Sequence, residues 1–173
     1  MSKFIDEATI FVRSGKGGAG CVAFRREKYV DQGGPNGGNG GRGGDVVIRA
    51  DAQRSTLLDY KFQPRHLAGN GAPGEGNQMT GKHGAQAALY VPVGTVVYDA
   101  DSNDLLADLN QPDSEIVVAK GGRGGKGNAH FKSSVNQAPR YAQPGEPWTE
   151  RNIRLELKLM ADVGLVGMPS VGK

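Results

Sequence analysis

The 173 residues suffice for one domain of ordinary size, and with 37% of them hydrophobic the core is modest. A single cysteine, Cys21, excludes an internal disulfide framework or a cysteine-rich zinc site, and no run of about 18 apolar residues is present to span a membrane. The net charge of +3 hides a sorting: residues 14–44, 61–83 and 120–140 hold 13 of the 21 Lys/Arg but only 3 of the 18 Asp/Glu.

Residues 8–13 are β-branched and aromatic and predict a strand. The glycine stretch 15–20 ends it, residues 21–24 resume an extended pattern, and Arg25, Arg26, Lys28 and Tyr29 set three cations beside an aromatic ring. From Gly33 to Gly44 the chain is mostly glycine without serine, unlike a flexible linker. Polyproline II has about three residues per turn. At that period Gly37, Gly40 and Gly43 share one edge, Gly38, Gly41 and Gly44 a second, and Asn36, Asn39, Arg42 and Asp45 the third. Two bare edges let neighbouring backbones approach closely, while the third faces outward. Residues 121–127 repeat the scheme, with Lys120, Arg123 and Lys126 in line.

Residues 45–50 predict another strand, and residues 55–59 one helical turn capped by Ser55. A second glycine-rich region covers 61–84. Strands follow at 88–93 and 95–99, and Pro92 marks an edge or a bulge. Two more strands are predicted at 105–109 and 115–119, joined by a turn through Asn110, Pro112 and Asp113. Residues 137–145 read as an irregular linker, and 153–159 alternate apolar and charged as a half-buried strand does. The predicted class is mainly β, with glycine-rich extended hairpins projecting from a base.

The compact apolar run 162–166 leads into Gly167, Met168, Pro169, Ser170, Val171, Gly172 and Lys173. This fits G-x-x-x-x-G-K, in which glycines let backbone N–H groups wrap phosphate oxygens and the lysine reaches the β- and γ-phosphates. The Ser/Thr that ligates Mg²⁺ in this motif would follow Lys173. The expectation is therefore a piece of a longer nucleotide-binding protein, with no metal site, no catalytic residue and no firm nucleotide binding of its own. G-x-G-x-x-G also occurs, at Gly15/Gly17/Gly20, Gly69/Gly71/Gly74 and Gly122/Gly124/Gly127, but no βαβ unit follows and a dinucleotide fold is rejected. His66, His83 and His130 lack ligand spacing and a partnered nucleophile.

Positive charge sorted into extended loops suits a polyanion. The candidate RNA-binding residues are Arg25, Arg26, Lys28, Tyr29, Arg42, Arg65, His66, Lys82, His83, Arg123, Lys126, Lys132 and Arg140. Cations contact phosphates, and Tyr29 or Phe131 offers a face on which a base can stack. A module that docks another protein and regulates a nucleotide domain is the alternative.

The stretches 15–20, 24–29 and 33–44 together resemble the N-terminal domain of the Obg GTPases, as do 69–76, 91–97, 121–126 and 128–131. Residues 162–173 are similar to the start of that family's G domain. The resemblance implies a small β-barrel-like base carrying a polyproline II bundle over 1–158, and the first strand and phosphate loop of a G domain over 159–173. It further implies a parent that binds and hydrolyses GTP with Mg²⁺, acts in assembly of the large ribosomal subunit, and senses guanine alarmones; the single cysteine fits a reducing cytoplasm, and a monomer is expected. The glycine-rich loops would contact ribosomal RNA of the peptidyl-transferase region. Asn36 and Asn39 stand where that family usually carries aspartates.

Overall fold

A computed structural model describes residues 6–31 and 33–158. Its elements are β1 (Glu7–Arg13), β2 (Val46–Asp51), the short helix α1 (Leu58–Phe62), β3 (Arg65–Leu67), β4 (Ala87–Pro92), β5 (Thr95–Asp99), β6 (Leu105–Leu109), β7 (Glu115–Ala119), a 3-10 turn at Asn128–Phe131, and β8 (Glu150–Leu157). The protein is mainly β, as expected. Its base consists of two mixed sheets around one core, ordered β3-β1-β8-β5-β6 and β4-β2-β7, and neither closes into a barrel.

Alternation decides which faces meet. Ala8, Ile10 and Val12 of β1 point inward beside Ile153 and Leu155 of β8, with Ile10 opposite Ile153 and Ala8 opposite Leu155. From the other sheet come Val46, Ile48 and Ala50 of β2, Leu89 and Val91 of β4, and Val118 and Ala119 of β7. Leu57 and Tyr60 of the α1 segment close one side of this core. Pro92 ends the edge strand β4, where its missing N–H costs no ladder bond. Gly94 then turns the chain with φ +95, the one positive-φ glycine among the described residues.

Five details differ from the sequence reading. The helical turn has no Ser55 cap; the Leu58 N–H donates to Thr56 Oγ1 instead. Strand β3 lies inside the second glycine-rich region, held by parallel pairing with β1. Strands β6 and β7, although joined by a short turn, enter different sheets. Strand β8 begins at Glu150, three residues before the alternating stretch. Finally, part of the supposed linker 137–145 belongs to an ordered stem.

That stem is built by six extended segments near 15–21, 37–44, 69–75, 79–86, 121–128 and 143–147. Residues 37–44 run through its middle. Gly38, Gly41 and Gly44 donate to the carbonyls of Glu75, Ala72 and Gly69, while Gly40 and Gly43 donate to those of Gly125 and Gly122. The carbonyls of Gly38, Gly41 and Gly44 accept from Cys21, Gly18 and Gly15, and those of Asn39 and Arg42 from Gly81 and Gly84. All ten bonds are 2.8–2.9 Å long and recur every third residue, the polyproline II period. The sixth segment joins through Gly17 to the Glu146 carbonyl and Gly20 to that of Gln143.

The glycines here do not serve left-handed turns; they make room. A Cβ on Gly37, Gly40 or Gly43 would lie 1.9 Å from the carbonyl oxygen of Cys21, Gly18 or Gly15. On Gly38, Gly41 or Gly44 it would lie 2.0 Å from that of Met79, Lys82 or Ala85. The two bare edges expected from the period are both in use. The third edge does more than face solvent: Asn39 Oδ1 accepts the Gly127 N–H at 2.9 Å, and Asp45 Oδ1 accepts the Gly121 N–H at 2.7 Å.

Candidate nucleic-acid interface

At one end of the stem the chain enters the base; at the other it forms a tip from loops 22–36, 76–79 and 128–142. The turn at 76–79 reverses the chain with Asn77 and Gln78 both at positive φ, the geometry of a tight hairpin. The two longer loops are fastened by Asn128, which is fully buried. Its Oδ1 accepts the N–H of Gly37 at 2.8 Å, and its Nδ2 donates to the carbonyls of Ala23 at 3.0 Å and Pro139 at 3.1 Å. One side chain thus joins the central stem segment to both tip loops.

Five of the predicted RNA-binding cations come together on this tip. Arg25, Arg26 and Lys28 lie on the first loop and Lys132 and Arg140 on the last, all exposed. Arg25, Arg26 and Arg140 line one cleft of about 410 Å³, with Phe24, Val30 and Asp31. Arg25 pairs with Glu27 at 2.8 Å. Arg26, Lys28, Lys132 and Arg140 have no carboxylate partner among the described residues. Phe131 packs on Tyr141 at 4.9 Å between ring centroids and meets His130 edge-on at 5.4 Å. Tyr29 projects from the first loop, 92% exposed.

A second group lies along the stem. Arg42 and Arg123 share a groove with Lys120 and Glu146, of about 720 Å³. Arg42 pairs with Asp45 at 3.0 Å, and its backbone N–H donates to His83 Nδ1 at 3.0 Å, which places the ring proton of a neutral His83 on Nε2. Lys82 and Lys126 are exposed on the stem.

Arg65 and His66 stand apart from both groups, on edge strand β3 of the base. The Arg65 guanidinium lies over the Phe11 ring at 5.4 Å. His66 meets Tyr60 edge-on at 5.4 Å and bonds through Nε2 to the Gln63 carbonyl at 2.8 Å. Burial lowers the His66 pKa below its ordinary value, and burial also pushes Tyr60 up to about 12. The phosphate-loop residues Gly167, Met168, Pro169, Ser170, Val171, Gly172 and Lys173 lie outside the described residues.

Sequence reasoning missed Asn128 as an anchor. A lone asparagine after a glycine run carries no periodic signal, and its partners Gly37 and Ala23 are 91 and 105 residues away.

Among known proteins, a family model described as GTP1/OBG matches residues 5–159. The chain is 58% identical over 171 residues to a GTPase Obg of Syntrophus aciditrophicus, covering 99% of this chain and 50% of that protein. Similar relatives, also named GTPase Obg, come from Persephonella marina, 57% identical with 99% and 50% covered, and Desulfovibrio desulfuricans, 56% identical with 99% and 47% covered. The chain spans about half the length of these curated relatives. A glycine stem whose bare edges the sequence spells out, together with a match over nearly the whole chain, settles its kinship: the chain belongs to the GTP1/OBG family.

Proposed function

We propose that stem and tip form an RNA-docking arm, carried by a longer protein that binds GTP with Mg²⁺, hydrolyses it, and acts in assembly of the large ribosomal subunit. The observation that carries this reading is the tip itself. Five exposed cations sit on two loops at the far end of a hydrogen-bonded stem, fastened together by a buried asparagine. A stiff arm tipped with cations holds them at fixed spacing, as ribosomal phosphates require. Residues 167–173 fit the phosphate-loop pattern in sequence, and this reading assigns nucleotide and Mg²⁺ to a separate domain beginning near residue 159. The relatives' name, GTPase Obg, supports guanine as the base. A cytoplasmic monomer is the form in which we expect the arm to work, and among the described residues no helix is long and apolar enough to cross a membrane.

Reversing charge at Arg25, Arg26, Lys132 and Arg140, singly and together, tests the reading by binding to large ribosomal subunits across a salt series. Each reversal that takes a cation away from a phosphate is expected to flatten the slope of log K against log salt by roughly 0.7 to 0.9. Lys61→Glu, on α1 in the base, is expected to leave the slope unchanged. A quadruple variant that binds with the parent's affinity and slope would refute RNA docking. Weaker binding without a slope change would favour a protein-docking module instead.

A further inference from the structure

The turn at residues 27–30 is unusual in its central residue. The Val30 N–H donates to the Glu27 carbonyl at 3.1 Å and closes a four-residue turn around Lys28 and Tyr29. Tyr29 takes its third position with φ 70. Glycine or asparagine is preferred there, because a bulky side chain in the left-handed region is strained. Other tyrosines can offset such strain by packing. Tyr29 does not: it is 92% exposed, the most exposed aromatic among the described residues. The Lys28 ammonium lies over its ring at 5.4 Å, so a cation accompanies one face. Neither backbone nor core asks for tyrosine at this place, and strain kept without gain to the fold points to function.

The neighbouring cleft indicates what the ring would meet. Glu27 and Val30 of the same turn line the cleft together with Arg25, Arg26, Asp31 and Arg140, so three guanidinium groups outnumber two carboxylates. A cleft rich in guanidinium groups, on the turn that carries an open aromatic ring, suits a phosphate and a base presented together. In a duplex both faces of a base are already stacked, so a ring on a projecting turn reaches a base face only at a loop, bulge or end.

On the basis of the RNA-docking reading, we infer that Tyr29 is a stacking platform held outward by its strained turn, and that through it the tip selects unpaired nucleotides over duplex. The test compares the parent chain with Tyr29→Gly and Tyr29→Phe. The probes are an RNA hairpin with 2-aminopurine in its loop and a fully paired RNA duplex of equal length. Tyr29→Gly relieves the strain, so its melting temperature is expected to rise by a few degrees. Weaker binding by that variant then cannot come from unfolding. Its hairpin affinity is expected to fall roughly 5- to 150-fold, the range for removing one base–aromatic stack. Duplex affinity and salt slope stay unchanged, and 2-aminopurine quenching persists in Tyr29→Phe but disappears in Tyr29→Gly. Equal hairpin binding by Tyr29→Gly and parent, or equal losses on hairpin and duplex, would overturn the inference. If the arginine reversals lower affinity and slope while Tyr29→Gly changes nothing, stacking fails and RNA docking stands. If those reversals change neither, docking itself fails and stacking with it.

Discussion

The side-chain oxygen of Asn128 accepts the backbone N–H of Gly37 at 2.8 Å, across 91 residues of chain and away from water. The amide's other end is also engaged, by two carbonyls from two different loops. An unpaired buried donor or acceptor costs about 1–3 kcal/mol. Asn128→Ala is therefore expected to lower the stability of the chain by at least that much, read by urea denaturation. Asn128→Asp is expected to be no better, because a carboxylate has no hydrogen to give the Ala23 and Pro139 carbonyls. Midpoints equal to the parent's for both variants would remove Asn128 as the fastening of the tip.

The stem predicts opposite fates for glycines that look alike in sequence. Gly40→Ala places a methyl group 1.9 Å from the Gly18 carbonyl oxygen, and its three nearest neighbours are all backbone atoms, with no flexible side chain to yield. A loss of several kcal/mol, or failure to fold, is expected. At Gly76 the nearest atom to an added Cβ is the Ala23 methyl, at 3.7 Å. Gly76→Ala is expected to be neutral or to stabilise by about 0.4–1 kcal/mol through the unfolded chain. Thermal melts of the two variants that shift equally would show the glycines to be spacers.

His66 gives the base a pH dependence. Burial holds its folded pKa below the ordinary 6.5, so the folded chain resists a proton that the unfolded chain takes up. Stability is then complete above about pH 6.5 and is lost as pH falls from there towards the lower folded pKa. The expected result is a melting temperature that drops between pH 7.5 and 5.5, and drops less in His66→Gln. Arg54 and Asp59 line the same cleft but are paired with each other at 3.0 Å. A parent and variant with parallel profiles would contradict this account.

The glycine edges of 37–44 were legible from the sequence because their cause is local and periodic: every third residue meets the same neighbour. Strands β1, β2 and β5 were legible for a similar reason, as alternation or a β-branched run is a property of the segment itself. What escaped depends on partners. Strand β3 has only three residues and owes its place to β1. Segment 143–147 carries one glycine, Gly145, where an added Cβ would meet the Gly17 carbonyl at 1.9 Å, a contact with a segment far away in sequence. Asn39 was legible as exposed but not as an acceptor. Its bond to Gly127 makes Asn39→Ala cost about 0.5–1.5 kcal/mol, between the two glycine variants above. Of the candidate site, the cations of loops 22–36 and 128–142 were readable, while their convergence was not, since the fold brings two distant loops to one end. Arg65 and His66 show the converse: glycine-rich surroundings suggested the arm, and pairing with β1 kept them in the base.

Because the stem's bonds recur at every third residue in segments that run up and down side by side, its length comes in steps. Adding one residue to a single segment would turn one of its bare edges outward and its polar edge onto a neighbouring carbonyl. Only a full period, inserted in all six segments together, preserves the arrangement, and it would move the tip by about 9 Å, three residues at 3.1 Å each. The distance from base to tip therefore behaves as a ruler with coarse graduations. Changes confined to the loops at its end leave that reach as it is, and the reach itself cannot drift.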